Sequence, residues 1–229
     1  MAQRLHEIRT QGFLLCSNLL VYYNNQDPAG AFYPASREAY RQNLAELDAL
    51  TAALQDKTEL TTTLREMKSV IGELEKQPEN NRVEYSMWLN PVLRVQGDLD
   101  RLAAEEYRKT SGQAGAVANL HQLSLDLGRM LLLYESQAFS RTGIYSFEVH
   151  ENSFNEIDQR IGATHKSLEE QLPDAGDQLK EVWRNYSFIR QRLKASEQAV
   201  VARSASLYLG KGVETLDLLA RGEGRKAAQ

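Results

Sequence analysis

The chain has 229 residues, of which 42% are hydrophobic and 25% are charged, and this ordinary globular composition excludes an intrinsically disordered protein. The 27 lysine and arginine residues are outnumbered by 31 aspartate and glutamate residues, so the net charge of −4 offers no electrostatic surface for nucleic acid or an anionic membrane. With only 14 glycines and 5 prolines, the composition favours long helices over turn-rich β structure.

In the first half of the chain, apolar residues recur at intervals of three and four, the spacing of one face of an α-helix. The first such ladder runs through Leu5, Ile8, Gly12, Leu15, Leu19 and Tyr22. Further ladders begin at Tyr40, Leu60 and Val92. Pro91 falls inside the fourth pattern, which predicts either a kink or a new helix start with Asn90 as its N-cap.

The second half of the chain repeats this spacing. Its ladders begin at Leu120, Phe154, Leu179 and Val200. The segment 223–229 contains no apolar ladder, and we expect it to be a flexible tail. The pattern therefore predicts an all-α protein of about eight helices.

The two halves also resemble each other in sequence. Leu5-His6 recurs as Leu120-His121 after 115 positions, and Leu99-Asp100 recurs as Leu216-Asp217 after 117 positions. The ladders between these pairs match at similar offsets. This near-constant offset predicts two related halves, folded as tandem antiparallel helical bundles or as one elongated bundle.

We place the boundaries of these units in the breaks of the apolar pattern. The first bundle is predicted to span residues 1–111, the second 112–222, and the tail 223–229. The N-terminus lacks a basic stretch leading into an apolar segment, and no run approaches 18 uncharged apolar residues. We therefore expect a cytoplasmic protein without a membrane span.

Motifs of enzymes and metal sites are missing from the sequence. A single cysteine, Cys16, excludes a disulfide framework and a cysteine-rich metal site. No histidine follows a glutamate at the spacing of a dimetal bundle, and no phosphate-binding glycine loop or nucleophile elbow occurs. We expect no catalytic site, no metal and no cofactor.

One local string has a chemical interpretation. His6-Glu7-Ile8-Arg9-Thr10 resembles the phosphoacceptor box of sensor histidine kinases, where such a string opens a helix of a dimeric bundle. That resemblance implies attack of the His6 imidazole on a γ-phosphate, with the adjacent acid as base. Gln11 stands where the family has proline. The other interpretation is a partly exposed histidine beside core residues.

A second resemblance covers more of the chain. Residues 119–193 contain a first helix with Gly128-Arg129-Met130-Leu131, shorter amphipathic helices and a late Trp183 followed by Tyr186. These features are similar to the N-terminal sensor domain of type IV pili methyl-accepting chemotaxis transducers and to nitrate-sensing kinases. The resemblance implies a four-helix bundle that senses a ligand or partner, is often dimeric, and binds a small anion through the arginine of its first helix. Only Arg129 is carried over from that family.

Aromatic residues cluster near predicted helix ends and loops. Because such residues are favoured at protein interfaces, we predict partner contacts at six of them: Tyr22, Tyr23, Phe32, Tyr33, Tyr145 and Phe147.

The function expected from these patterns is that of a non-enzymatic signalling or adaptor protein. It would dock to a protein partner through helix faces, form a homodimer as the resemblance implies, and respond to a small molecule bound at Arg129. The alternatives are a histidine phosphotransfer protein that uses His6, and a purely structural or assembly helper.

Overall fold

The computed structural model of the protein describes residues 1–24, 31–54, 58–78, 85–110, 115–137, 139, 153–194 and 202–226. Within these residues the chain forms eight α-helices, one short 3₁₀ helix and no strand, which confirms the predicted all-α helical bundle. The helices are α1 (Ala2–Tyr22), α2 (Pro34–Ala52), α3 (Thr58–Glu75), α4 (Tyr85–Thr110), α5 (Ala116–Gln137), α6 (Ser153–Gln171), α7 (Gly176–Lys194) and α8 (Ala202–Lys226).

The structure decides between the two alternatives at Pro91 and extends the last helix into the predicted tail. Helix α4 continues through Pro91 and includes Asn90, so no new helix starts there. Helix α8 continues to Lys226 and thus occupies the first four positions of the predicted tail 223–229. A tertiary contact holds this end of α8, because the Arg221 guanidinium donates a hydrogen bond of 2.5 Å to Glu7 in α1.

Successive helices run antiparallel, so the helices α1–α4 and α5–α8 each form an up-down-up-down bundle. The first helices of the two bundles run parallel to each other. Gln3 in α1 contacts His121 in α5, and ten residues further along α1, Phe13 lies beside Gly128 in α5. Helix α8 runs antiparallel to α1, since Asn18 contacts Ser206 whereas Thr10 contacts Asp217.

Two hydrophobic cores correspond to the two halves of the chain, but each includes residues of the other half. Leu125, Leu132 and Phe139 from the second half belong to the first core, and Leu14 from the first half belongs to the second core. The two bundles therefore share a packed contact, which we call the seam: the packing of α1 against α5 and α8.

The central helices α1 and α5 are buried on nearly all sides, including their polar residues. A helix buried all round loses water on every face, so each polar side chain needs a protein partner. No helix in the described part of the chain is long and apolar enough to cross a membrane.

The closest approach of α1 to α5 yields a testable prediction. A Cβ atom added to Gly128 would lie 3.2 Å from the Cβ of Phe13, so there is no room for a larger side chain. We expect Gly128→Leu to lower the free energy of unfolding by about 1–3 kcal/mol in chemical denaturation.

The matched control is Gly222→Leu in α8, where an added Cβ meets no atom within 4 Å. This change should leave stability unchanged or raise it by up to about 1 kcal/mol, because glycine disfavours a helix. Equal effects of the two substitutions would contradict close packing of α1 on α5.

Candidate functional site

A pair of stacked histidines lies at the seam. His6 in α1 and His121 in α5 have ring centroids 4.1 Å apart and ring planes 16° apart, and both side chains are buried. These are the two histidines that the internal repeat aligns. The first helices of the two halves therefore meet through equivalent residues.

Asp217 in α8 accepts hydrogen bonds from three sides. Its Oδ1 atom lies 2.9 Å from His6 Nε2 and 2.6 Å from the Ser124 hydroxyl, and its Oδ2 atom accepts from the Thr10 hydroxyl at 3.0 Å. Burial by itself raises the pKa of Asp217, but the charge and hydrogen bond of His6 and the two hydroxyls outweigh it and lower the pKa. The carboxylate is thus held ionised between the two bundles.

The neighbours of His121 determine its tautomer. The Gln3 side-chain nitrogen donates a hydrogen bond to Glu7 at 2.6 Å, so the Gln3 side-chain oxygen faces His121. That oxygen accepts a hydrogen bond from His121 Nε2 at 2.7 Å. His121 Nδ1 then accepts from the Tyr107 hydroxyl at 2.8 Å. Burial and, to a smaller extent, the charge of His6 lower the pKa of His121 to about 3, and the charge of Asp217 offsets only part of this shift. His121 is therefore neutral at physiological pH.

This network leaves no free imidazole. His6 is 2% exposed and its Nε2 atom is engaged by Asp217, so a kinase or receiver domain has no access to it. A phosphoacceptor must present its nitrogen to a phosphoryl group. The structure therefore shows His6 as part of the packing between the bundles, and the phosphoacceptor interpretation stays a prediction.

Arg129 of α5 lies apart from the histidine pair, in a second polar group. We call this group the arginine junction, and it consists of Arg9, Gln96, Asp100 and Arg129. Asp100 in α4 accepts from Arg9 Nε at 2.6 Å and from Arg129 Nη2 at 3.4 Å. The Arg129 guanidinium also stands 5.7 Å from the centroid of the Phe13 ring. Two guanidinium groups thus share one carboxylate, which leaves an excess of one positive charge.

Two donors of the arginine junction are unpaired. Arg129 Nε and Gln96 Nε2 are buried and have no hydrogen-bond partner within the described residues. Gln96 precedes Asp100 by one helical turn and packs near Gly12 of α1. A buried donor without an acceptor costs about 1–3 kcal/mol. Unpaired donors beside surplus positive charge are chemically suited to an anion. The Arg129 side chain as a whole is 25% exposed, so part of the arginine junction lies at the surface.

The aromatic residues predicted to contact a partner have different locations. Tyr22 and Tyr23 are buried in an aromatic cluster, with ring centroids 4.9 Å apart, and Phe32 packs against both. Phe32 takes a φ of 58°, and its amide donates a hydrogen bond to the Tyr22 carbonyl. This turn brings the Phe32 ring back onto the end of α1, so all three rings pack in the first core. Tyr33 is 45% exposed at the surface.

The predicted contacts Tyr145 and Phe147 lie outside the described residues.

Among the residues described, no group of three or more histidine, cysteine, aspartate or glutamate side chains is placed to hold a metal ion. Burial raises the pKa of the Cys16 thiol, so it is uncharged and unreactive.

The sequence patterns did not identify Arg9, Gln96 or Asp217 as candidate site residues, although Arg9 and Asp217 occur in the motifs described above. The available signal was the acidic residue after a core leucine in each half, at Asp100 and Asp217. That signal does not separate buried from exposed acids, because Asp48 also follows a core leucine, Leu47, and its side chain is 55% exposed. Which partner a buried acid finds depends on how the bundles pack.

Comparisons of the chain with protein-family models, with curated proteins and with solved structures give no match. Functional proposals for this protein therefore rest on its own residues and their geometry.

The histidine pair predicts a dependence of stability on pH. The pKa of His121 falls from an ordinary value of 6.5 to about 3 in the folded state, so the unfolded chain binds more protons between these values. Stability should be greatest above pH 6.5 and should fall as the pH drops towards 3, by on the order of 4 kcal/mol.

Urea denaturation at a series of pH values would measure this slope. His121→Gln removes the titrating group, and its stability should change less steeply between pH 6.5 and 3 than that of the wild type, with parallel curves above pH 7. Identical slopes below pH 6.5 would show that His121 is not the group responsible.

Proposed function

We propose that this protein is a non-enzymatic sensor and adaptor that binds a small anion at the arginine junction and signals to a protein partner. The observation that carries the proposal is the pair of unpaired buried donors, Arg129 Nε and Gln96 Nε2, beside two arginines that share Asp100. An anion bound there would accept both hydrogen bonds and balance the excess charge.

The position of the arginine junction supports a sensing role. Arg9 belongs to α1, Gln96 and Asp100 belong to α4, and Arg129 belongs to α5, so a bound anion would contact both halves of the chain. A ligand that binds across an interface stabilises the arrangement that forms the site. Binding would therefore favour one packing of the two bundles over others, and a partner would detect that packing.

The buried titratable groups support binding rather than catalysis. The hydrogen bonds of His6, His121 and Asp217 are formed with one another and with neighbouring side chains. A catalytic acid or base must reach a substrate proton. These side chains serve the packing of the seam instead.

Thermal denaturation with added anions tests the proposal. Sodium nitrate, sulfate, phosphate and acetate would be compared with sodium chloride at equal ionic strength. An anion at a hundred times its dissociation constant stabilises by about 2.7 kcal/mol, which raises the Tm by roughly 5–10 °C in a chain of this size. We expect such a shift for at least one of these anions.

Two variants locate the site. Gln96→Leu removes an unpaired buried donor, so the free protein should be at least as stable as the wild type while the anion-induced shift disappears. Arg129→Lys keeps a positive charge but lacks Nε, and should reduce the shift.

The matched control is Arg94→Gln, an exposed arginine of the same helix α4 that pairs with Glu66. This variant should respond to the anion like the wild type. The absence of any anion-specific shift, or an undiminished shift in Gln96→Leu, would overturn the proposal.

A further inference from the structure

A groove of about 600 Å³ runs along α1 between α2 and α8. Its floor is formed by Leu14, Asn18 and Val21 of α1, and we call it the α2–α8 groove. Its walls come from different halves of the chain, because α2 belongs to the first bundle and α8 to the second. The groove lies away from the arginine junction, since none of the four residues of that junction lines it.

Small side chains line part of each wall of the groove, Ala35 and Ala39 in α2 and Ser206 and Gly210 in α8, and larger residues such as Gln42 and Lys211 line the rest. Helix axes that pack together lie 8–10 Å apart, with the distance set by the side chains at the contact. The small side chains therefore leave room for the backbone of another helix along that part of the walls. The apolar side chain of Leu207 is 66% exposed at the rim and would be covered by such a helix.

The polar groups of the floor are already satisfied. The Asn18 amide donates to Asn43 at 2.9 Å and accepts from the Ser206 hydroxyl, and the Asn43 amide donates to Gln11 at 2.8 Å. This chain of hydrogen bonds links α1 to both walls. Covering the floor with apolar side chains would therefore leave none of these amides unpaired.

The length of the groove fits a short helix. Arg203 and Glu214, both in α8, line it at positions 11 residues apart. At 1.5 Å per residue this span is about 16 Å, or three helical turns. Three turns carry apolar anchors at i, i+3, i+4 and i+7, the pattern of helices that dock in grooves.

The two ends of the groove carry opposite charges. At one end, Glu46 of α2 and Glu214 of α8 both line the groove; burial, followed by the charges of Glu46 and Asp217, raises the pKa of Glu214. At the other end, the Arg203 guanidinium stands 4.9 Å from the centroid of the Tyr33 ring. Lys211 also lines the groove, but its ammonium is paired with Glu181 of α7 at 2.5 Å.

These charges match the dipole of a helix lying parallel to α1. Such a helix would run antiparallel to both walls, as neighbours do in these bundles. Its positive N-terminal end would lie at Glu46 and Glu214, and its negative C-terminal end would lie at Arg203. The opposite orientation would place like charges together at both ends.

We propose that the α2–α8 groove docks an amphipathic α-helix of a protein partner, oriented parallel to α1, with lysine or arginine in its first turn and leucine-like residues on its inner face. Tyr33 and Leu207 would cover its sides. This deepens the adaptor role by naming the partner's chemistry, and it does not require the anion site.

A synthetic helix-forming peptide of about 14 residues tests this proposal. The probe carries leucines at i, i+3, i+4 and i+7, two lysines in its first turn, two glutamates in its last turn and a fluorescein label. We expect saturable binding in fluorescence anisotropy. The double variant Glu46→Lys and Glu214→Lys should weaken it at least about tenfold.

Charge reversal separates direct contact from misfolding. A second peptide with glutamates in the first turn and lysines in the last should bind the wild type poorly, and the double variant should regain affinity for it. Glu73→Lys, an exposed substitution on α3, should bind the first peptide like the wild type. Both Glu46 and Glu214 lie outside the arginine junction, so the anion-induced Tm shift should persist in the double variant.

Three results would overturn the docking proposal. One is the absence of saturable binding, and another is equal affinity of the wild type for the two peptides. The third is a concentration-dependent dimer in sedimentation that Leu207→Asp abolishes, which would assign the groove to a second copy of this chain.

Discussion

The parallel packing of α1 against α5 is the constraint on which the rest of the structure depends. Both helices are buried on nearly all sides, so they cannot carry their polar residues on a solvated face. The polar residues instead meet across the seam, where Asp217 joins α8 to α1 and α5. Phe13 and Gly128 set how closely the two helices approach. Neither bundle has a complete core alone, because each borrows apolar residues from the other.

The repeat makes the two halves similar in architecture but different in chemistry. Asp217 binds His6, whereas its counterpart Asp100 binds two arginines. Leu14 lines the α2–α8 groove, and the residue 115 positions later is Arg129 of the arginine junction. Positions that the repeat aligns thus lie in the floor of the groove on one side of the seam and in a cluster of two arginines around Asp100 on the other.

Helix α1 takes part in both proposed binding surfaces. Arg9 belongs to the arginine junction, and Leu14, Asn18 and Val21 form the floor of the groove. The two surfaces are therefore separated by the width of one helix. In the proposed sensor, an anion that fixes α1 relative to α4 and α5 would also fix the groove floor relative to α8. Coupling between two sites requires one element that both sites bias, and in the proposed sensor α1 would be that element.

Much of the local structure could be predicted from the sequence, because the apolar spacing of three and four depends only on helix geometry. That spacing was enough to predict an all-α bundle of about eight helices. The contact between His6 and His121, which the repeat aligns in sequence, was not predicted. Helix ends were less certain, because they depend on contacts that are remote in sequence. Glu7 holds Arg221, 214 positions away, and so extends α8 into the segment expected to be flexible.

The sequence by itself determined which segments are helical and which apolar residues of each helix face a core. Only the tertiary structure decided which polar residues are accessible. His6, Tyr22 and Tyr23 are buried, whereas Tyr33 is exposed at the groove. Periodicity specifies one face of a helix, but α1 has neighbours on nearly every side. The exposure of its side chains is therefore determined by which helices pack around it, and that is a property of the whole chain.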